Sequence, residues 1–167
     1  MGDIKKLAVL VSGNGSNLQS IVDSINIGEI NANISLVISN IETAFALTRA
    51  KKENLNSAFL NHKNFSSRES FDKALSELLI KHEVDLIVLA GFMRILSNSF
   101  IEKFNRKIIN IHPSLLPKYP GLKTHEKVIN NKDEFHGVTI HLVDEGLDSG
   151  PIIAQARFKA TKYKDID

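Results

Sequence analysis

The run Leu7-Ala8-Val9-Leu10-Val11 constrains the fold more than any other stretch of the chain. A strand wetted on one face alternates apolar and polar residues. An unbroken apolar run of strand length suits a strand covered on both faces, as in a parallel sheet. It leads into Ser12-Gly13-Asn14-Gly15-Ser16-Asn17, after which Leu18, Ile21, Val22 and Ile25 recur at helical spacing. Strand, glycine-rich turn and helix together put backbone amides and the positive end of a helix dipole where an anion can sit. Ser16 and Asn17 add side-chain donors and a helix cap. The turn is not a Walker loop, because no Gly-Lys-Ser/Thr follows. It also departs from the dinucleotide fingerprint, whose third glycine would fall at Leu18. A phosphate monoester fits it best.

The alternation of strands and helices continues. Residues 34–38 read as a second strand, 43–53 as a helix with Ala44, Leu47 and Ala50 inward, and 58–60 as a short third strand. Ser66 through Glu69 has the Ser-x-x-Glu form of a capping box and opens a helix carrying Phe71, Ala74, Leu75, Leu78 and Leu79. Asp85-Leu86-Ile87-Val88-Leu89-Ala90 is the clearest strand. The apolar loop Phe92-Met93-Arg94-Ile95-Leu96 after it reads locally as core, with a pocket for a flat ligand as the alternative. Ser97 caps a short helix through Phe104. Ile108 and Ile109 begin a strand that Pro113 must end, because a proline holds the residue before it extended. A helix follows over 124–130. Two alternating strands, 137–143 and 152–158, flank a turn-rich loop and read as an antiparallel appendage. The expected fold is therefore α/β: a doubly wound, mostly parallel sheet with a C-terminal antiparallel hairpin. In such sheets ligands bind beyond the carboxyl ends of the strands. That rule gathers the Gly13 turn, the Phe92 loop, the Asn110–Pro117 stretch and the Asp148 loop on one edge.

Composition narrows the function classes. A chain of 167 residues, 43% hydrophobic, supports one domain-sized core. It has no cysteine, so disulfides, cysteine zinc sites and a cysteine nucleophile are excluded, and a cytoplasmic setting fits. No apolar run is long enough to span a bilayer. A net charge of +2 gives no argument for nucleic acid.

Asn110 and His112 stand two apart at a strand end, so their side chains point to one side. An amide and an imidazole placed so can donate two hydrogen bonds to one oxygen. That pair suits attack on a carbonyl, whose oxygen gains charge in the transition state. A carboxylate beside His112 would favour the imidazolium. Asp144, Glu145 and Asp148 are the candidates. Ser114 lacks the turn of an activated nucleophile. The histidines show no His-Glu-x-x-His spacing, so no metal is expected. His62, His82, His125, His136 and His141 read as surface or strand-edge residues, and Arg68 as a solvated arginine opening a helix.

Four segments then carry a resemblance. They are Val11 through Gln19, Leu89 through Leu96, Asn110-Ile111-His112-Pro113-Ser114-Leu115-Leu116-Pro117-Lys118-Tyr119-Pro120-Gly121, and Leu147-Asp148-Ser149-Gly150-Pro151. Together, and in this order, they resemble the folate-dependent phosphoribosylglycinamide formyltransferase family of purine biosynthesis. The resemblance implies that Gly15, Ser16 and Asn17 bind the 5′-phosphate of the ribonucleotide. It implies that Arg68, Met93, Arg94, Ile95, Leu96, Asn110, Asp144, Glu145, Gly146, Leu147 and Asp148 contact 10-formyltetrahydrofolate as co-substrate. Asn110, His112 and Asp148 become the catalytic group, with His112 the proton donor and Asp148 raising its pKa. Direct formyl transfer to the glycinamide amine follows, with small-molecule partners only and a monomer or homodimer. Residues 1–167 would form one formyltransferase domain. Family members continue with a long C-terminal helix that adds substrate contacts, and a chain ending at Asp167 is expected to lack it. The rival readings are a formyl-folate deformylase, a methionyl-tRNA formyltransferase and a non-catalytic phosphometabolite-binding module.

Overall fold

The structure is a computed structural model that describes residues 4–160. The ends of the expected domain, 1–3 and 161–167, lie outside the described residues. The chain divides into two compact units, Met1–Ile108 and Ile109–Asp167.

The N-terminal unit runs β1 (Lys5–Val11), α1 (Ser16–Asn26), β2 (Ala32–Ser39), α2 (Phe45–Lys52), β3 (Ser57–Phe59), α3 (Arg68–Lys81), β4 (Leu86–Leu89) and α4 (Asn98–Lys103). Its strands pair in parallel in the order β3-β2-β1-β4. Ala8 through Val11 are fully buried, as the unbroken apolar run requires. The chain steps outward from β1 to β3, then returns to lay β4 on the other side of β1. That reversal is the doubly wound pattern, and it puts a switch point between β1 and β4. Helix α1 packs with α2, and α3 with α4. Right-handed crossovers place the two pairs on opposite faces of the sheet. Leu18, Val22, Phe71, Leu75, Leu79 and Phe100 fill the space beneath them.

Three local readings shift. The N-cap of α1 is Gly15, at φ 77°, and no side chain caps the helix, so Ser16 and Asn17 lie in its first turn. The buried face of α2 is Ala46 and Ala50, with Leu47 only half-buried. A Cβ on Gly15 would lie 2.6 Å from the Ala46 Cβ, so the turn and α2 approach closer than any side chain allows. The N-cap of α3 is Ser67, and Ser70 completes the box. Two serine hydroxyls exchange bonds with each other's backbone N–H there, so the Ser66–Glu69 pairing is off by one.

In the C-terminal unit, β5 (Ile108–His112, of which Ile108 closes the first unit) pairs antiparallel with β6 (Phe135–Leu142), and β6 with β7 (Ile152–Lys159). Helix α5 (Thr124–Asn130) lies between β5 and β6 in sequence. The antiparallel part is therefore larger than a hairpin. A Cβ on Gly137 would fall 2.1 Å from the Ala156 carbonyl oxygen, so β6 and β7 close around a bare α-carbon. All eight residues of β7 are exposed, although its alternation suggested two different faces. Among the described residues no helix is long and apolar enough to cross a membrane.

Candidate active site

Strand β5 delivers the first groups. Period two puts Asn110 and His112 on one face, and the β5–β6 register sets Asn110 opposite His141. His112 is 4% exposed. Its Nε2 lies 2.9 Å from the Tyr119 carbonyl oxygen. A carbonyl only accepts, so Nε2 carries a hydrogen and is committed. Nδ1 is the nitrogen left to work, and it faces Asp148 Oδ2 at 3.3 Å. The Gly121 N–H donates to the same oxygen at 2.8 Å. Asn110 Nδ2 donates to the other oxygen, Oδ1, at 3.3 Å. Asn110, His112 and Asp148, picked from distant parts of the sequence, converge on one spot.

The loops reach that spot in costly conformations. Tyr119 and Asp148 adopt φ 59° and 52°, the left-handed region that most residues avoid. Each costs on the order of 1 kcal/mol or more. Both supply a partner of His112, so the strain falls on the residues that orient the imidazole. Gly150 fixes the second loop: a Cβ there would sit 1.8 Å from the Leu142 carbonyl oxygen. Among the three loop acids, Asp144 accepts from Gly146 N–H and Ser149 Oγ within its own loop, and Glu145 is exposed. Only Asp148 faces the imidazole.

His141 corrects the sequence reading. It is 2% exposed rather than a surface residue. Its Nδ1 donates to the Leu142 carbonyl at 2.8 Å, and its Nε2 lies 3.1 Å from Asn110 Nδ2 and 3.6 Å from Asp148 Oδ1. Burial opposes its charge, yet Asp148, the Leu142 carbonyl and Asp144 outweigh burial, and the ring titrates above the ordinary histidine value. Burial likewise opposes the Asp148 charge, but the His141 bond, the Gly121 N–H and the two imidazoles hold its carboxyl below the usual value. His136 is also buried, at 3% exposure, and its Nε2 lies 2.6 Å from His125 Nδ1. The signal for His141 was its register opposite Asn110, which no single strand reveals. Ser114 is fully buried and donates to the Lys118 carbonyl, so it braces the turn and is no nucleophile.

The remaining candidates lie in the N-terminal unit. In the Gly13–Asn17 turn the Gly13 carbonyl accepts from Ala46 N–H, and Arg49 bonds both the backbone and the side-chain oxygens of Asn14. Ser12 ties this turn to the loop after β4. Its N–H donates to the Gly91 carbonyl at 3.0 Å, and its Oγ accepts from Met93 N–H at 2.8 Å. Two of the loops expected at the sheet edge are therefore neighbours at the switch point. Phe92 and Leu96 are core, whereas Met93 and Ile95 are each 65% exposed. The core reading thus holds for half of that loop. Arg68 opens α3 and is exposed. Buried Asp72 accepts from Ser97 N–H and anchors the end of the loop. Among the described residues no group of three or more histidines, cysteines and acids is arranged to hold a metal.

An imidazole oriented by a carbonyl, a carboxylate at its free nitrogen and a carboxamide beside them define a candidate carbonyl-transfer site. The chain belongs to the formyl transferase family, whose model matches residues 5–167. It is 49% identical over 154 residues to the phosphoribosylglycinamide formyltransferase of Haemophilus influenzae, covering 92% of this chain and 73% of that protein. It is 47% identical over 154 residues to the trifunctional purine biosynthetic protein adenosine-3 of Chironomus tentans, covering 90% of this chain and 11% of that one. Among solved structures it superposes on glycinamide ribonucleotide transformylase 1 of Symbiobacterium toebii with a TM-score of 0.93 at 38% identity, covering 95% of this chain and 75% of that one.

Proposed function

We propose that this protein transfers the formyl group of 10-formyltetrahydrofolate to the amine of 5′-phosphoribosylglycinamide in purine biosynthesis. The observation that carries the reading is the convergence of Asn110, His112 and Asp148 in a chain that belongs to the formyl transferase family. The neutral amine attacks the formyl carbon, and the formyl oxygen gains charge. His112 Nδ1–H and the Asn110 amide donate to that oxygen. The Tyr119 carbonyl holds the imidazole in place, and the Asp148 carboxylate lies against its Nδ1. Collapse of the tetrahedral carbon expels tetrahydrofolate, and the proton that the attacking nitrogen gives up passes to the folate nitrogen through His112 or a water held by Asp148. No covalent intermediate on the protein is required.

The Gly15-Ser16-Asn17 turn takes the ribonucleotide phosphate. Its support is an uncapped helix start at a left-handed glycine, which leaves the first N–H groups of α1 for an anion. Arg68, the exposed Met93 and Ile95, their neighbours Arg94 and Leu96, Asn110 and the 144–148 loop take the folate. The chain works as a formyltransferase domain in the cytoplasm, as a monomer or homodimer, on small molecules and without nucleic acid or membrane.

The test is to incubate the protein with glycinamide ribonucleotide and a 10-formyl folate and follow folate deformylation. Ribonucleotide-dependent turnover supports the reading. Deformylation without the ribonucleotide would make the protein a hydrolase, and no turnover with either substrate would reduce it to a binding module.

A further inference from the structure

We infer that His141 is a positioning residue whose protonation state selects which end of the Asn110 carboxamide meets the formyl oxygen. The inference rests on the proposed transfer reaction for its consequence, but its geometry stands in the protein alone. Nδ1 of His141 is committed as a donor to the Leu142 carbonyl at 2.8 Å. All of the ring's variability therefore lies at Nε2. That atom, Asn110 Nδ2 and Asp148 Oδ1 form a triangle with sides of 3.1, 3.3 and 3.6 Å.

With Nε2 bare, the ring accepts an Asn110 N–H. The carboxamide is then held with its nitrogen turned to His141 and Asp148, and its oxygen is the end left to meet a ligand. An oxygen cannot stabilise a nascent oxyanion. With Nε2 protonated, two N–H groups would face each other, and the contact fails. The carboxamide turns over, its Oδ1 accepts from His141, and Nδ2 moves to the outward end. The charged ring also bridges to Asp148 Oδ1, which screens that carboxylate oxygen from the incoming amide oxygen. The charged state of His141 is thus the productive one. The groups facing the ring are Asp148 and Asp144 from the loop and Asn110 from β5. His112 shares the Asp148 carboxylate, and the β7 neighbour Ile152 does not titrate.

The experiment is a pH titration by nitrogen NMR on the substrate-free protein. The Asn110 side-chain amide signal is assigned by its loss in Asn110→Asp. The expected result is that this signal and the His141 ring nitrogens move together with one midpoint. In His141→Gln, whose amide does not titrate, the Asn110 signal should stay flat over that range. In turnover, kcat of the unmodified protein should fall roughly 10²–10³-fold as His141 loses its proton, the scale of one oxyanion donor. That fall should be missing in His141→Gln. An Asn110 signal that stays still while His141 titrates overturns the inference, and so does an identical titration in His141→Gln. The first of these needs no variant and decides the question even if His141→Gln fails to fold. Absence of formyl transfer would sink the proposed function while leaving the Asn110 titration intact.

Discussion

At the scale of single residues, the site works by commitment. Tyr119 takes one nitrogen of His112, Leu142 takes one nitrogen of His141, and Gly121 takes part of Asp148, so each group keeps one free valence that faces the others. Replacing His112 by alanine should lower kcat roughly 10²–10⁴-fold with the fold intact, since both proton donation and one oxyanion contact go. Asp148→Asn should cost a similar factor, because asparagine keeps the shape and loses the charge. Steady-state kinetics beside a circular dichroism spectrum checks both, and a loss below tenfold would remove either residue from the mechanism. Gly15→Val tests the phosphate turn. Its Cβ would collide with Ala46 at a backbone angle valine avoids, so the KM for the ribonucleotide should rise. An unchanged KM would place the phosphate elsewhere.

At the scale of elements, α3 and α4 carry the loop after β4. Ser67 caps α3 through Ser70, and Ser97 caps α4 while its own N–H is held by Asp72. Removing a serine cap costs about 1 kcal/mol. Ser67→Ala should therefore lower stability by about that amount in a urea titration and leave kcat alone, because α3 itself is not part of the chemical step. Ser97→Ala should cost a similar amount of stability. It should also raise the KM for the folate, since the 93–96 loop ends at this cap. A Ser97→Ala protein with an unaltered folate KM would separate that loop from the ligand.

At the scale of the whole molecule, stability should depend on pH in a way set by buried titrating groups. The folded carboxyl of Asp148 lies below its unfolded value, so its contribution is in place above about pH 4 and is lost as the pH falls through the lowered value. His141 lies above its unfolded value, so its contribution is in place below about pH 6.5 and is lost as the pH rises through the raised value. His136 works in the other sense. Burial and the neighbouring His125 push it down, so it favours folding above about pH 6.5 and opposes it as acid charges the ring. Thermal melts across pH should show His141→Gln losing the alkaline decline and Asp148→Asn losing part of the acid one. Superimposable profiles for the variants and the unmodified protein would refute this assignment.

The sequence by itself determined the order of strands and helices, because unbroken apolar runs, cap serines and prolines act over a few residues. It also marked Asn110 and His112 as one face of a strand, since period two is a local property. Naming Asp148 over Asp144 and Glu145 took the family resemblance; nothing in the local pattern separates three acids within five residues of loop. Only the tertiary structure showed that Asp144 is spent on its own loop, that the Phe92 loop is half core and half exposed, and that His141 stands buried opposite Asn110. The first is a matter of how one loop folds on itself, whereas the other two depend on strand register and packing, which are set by segments far apart in the chain.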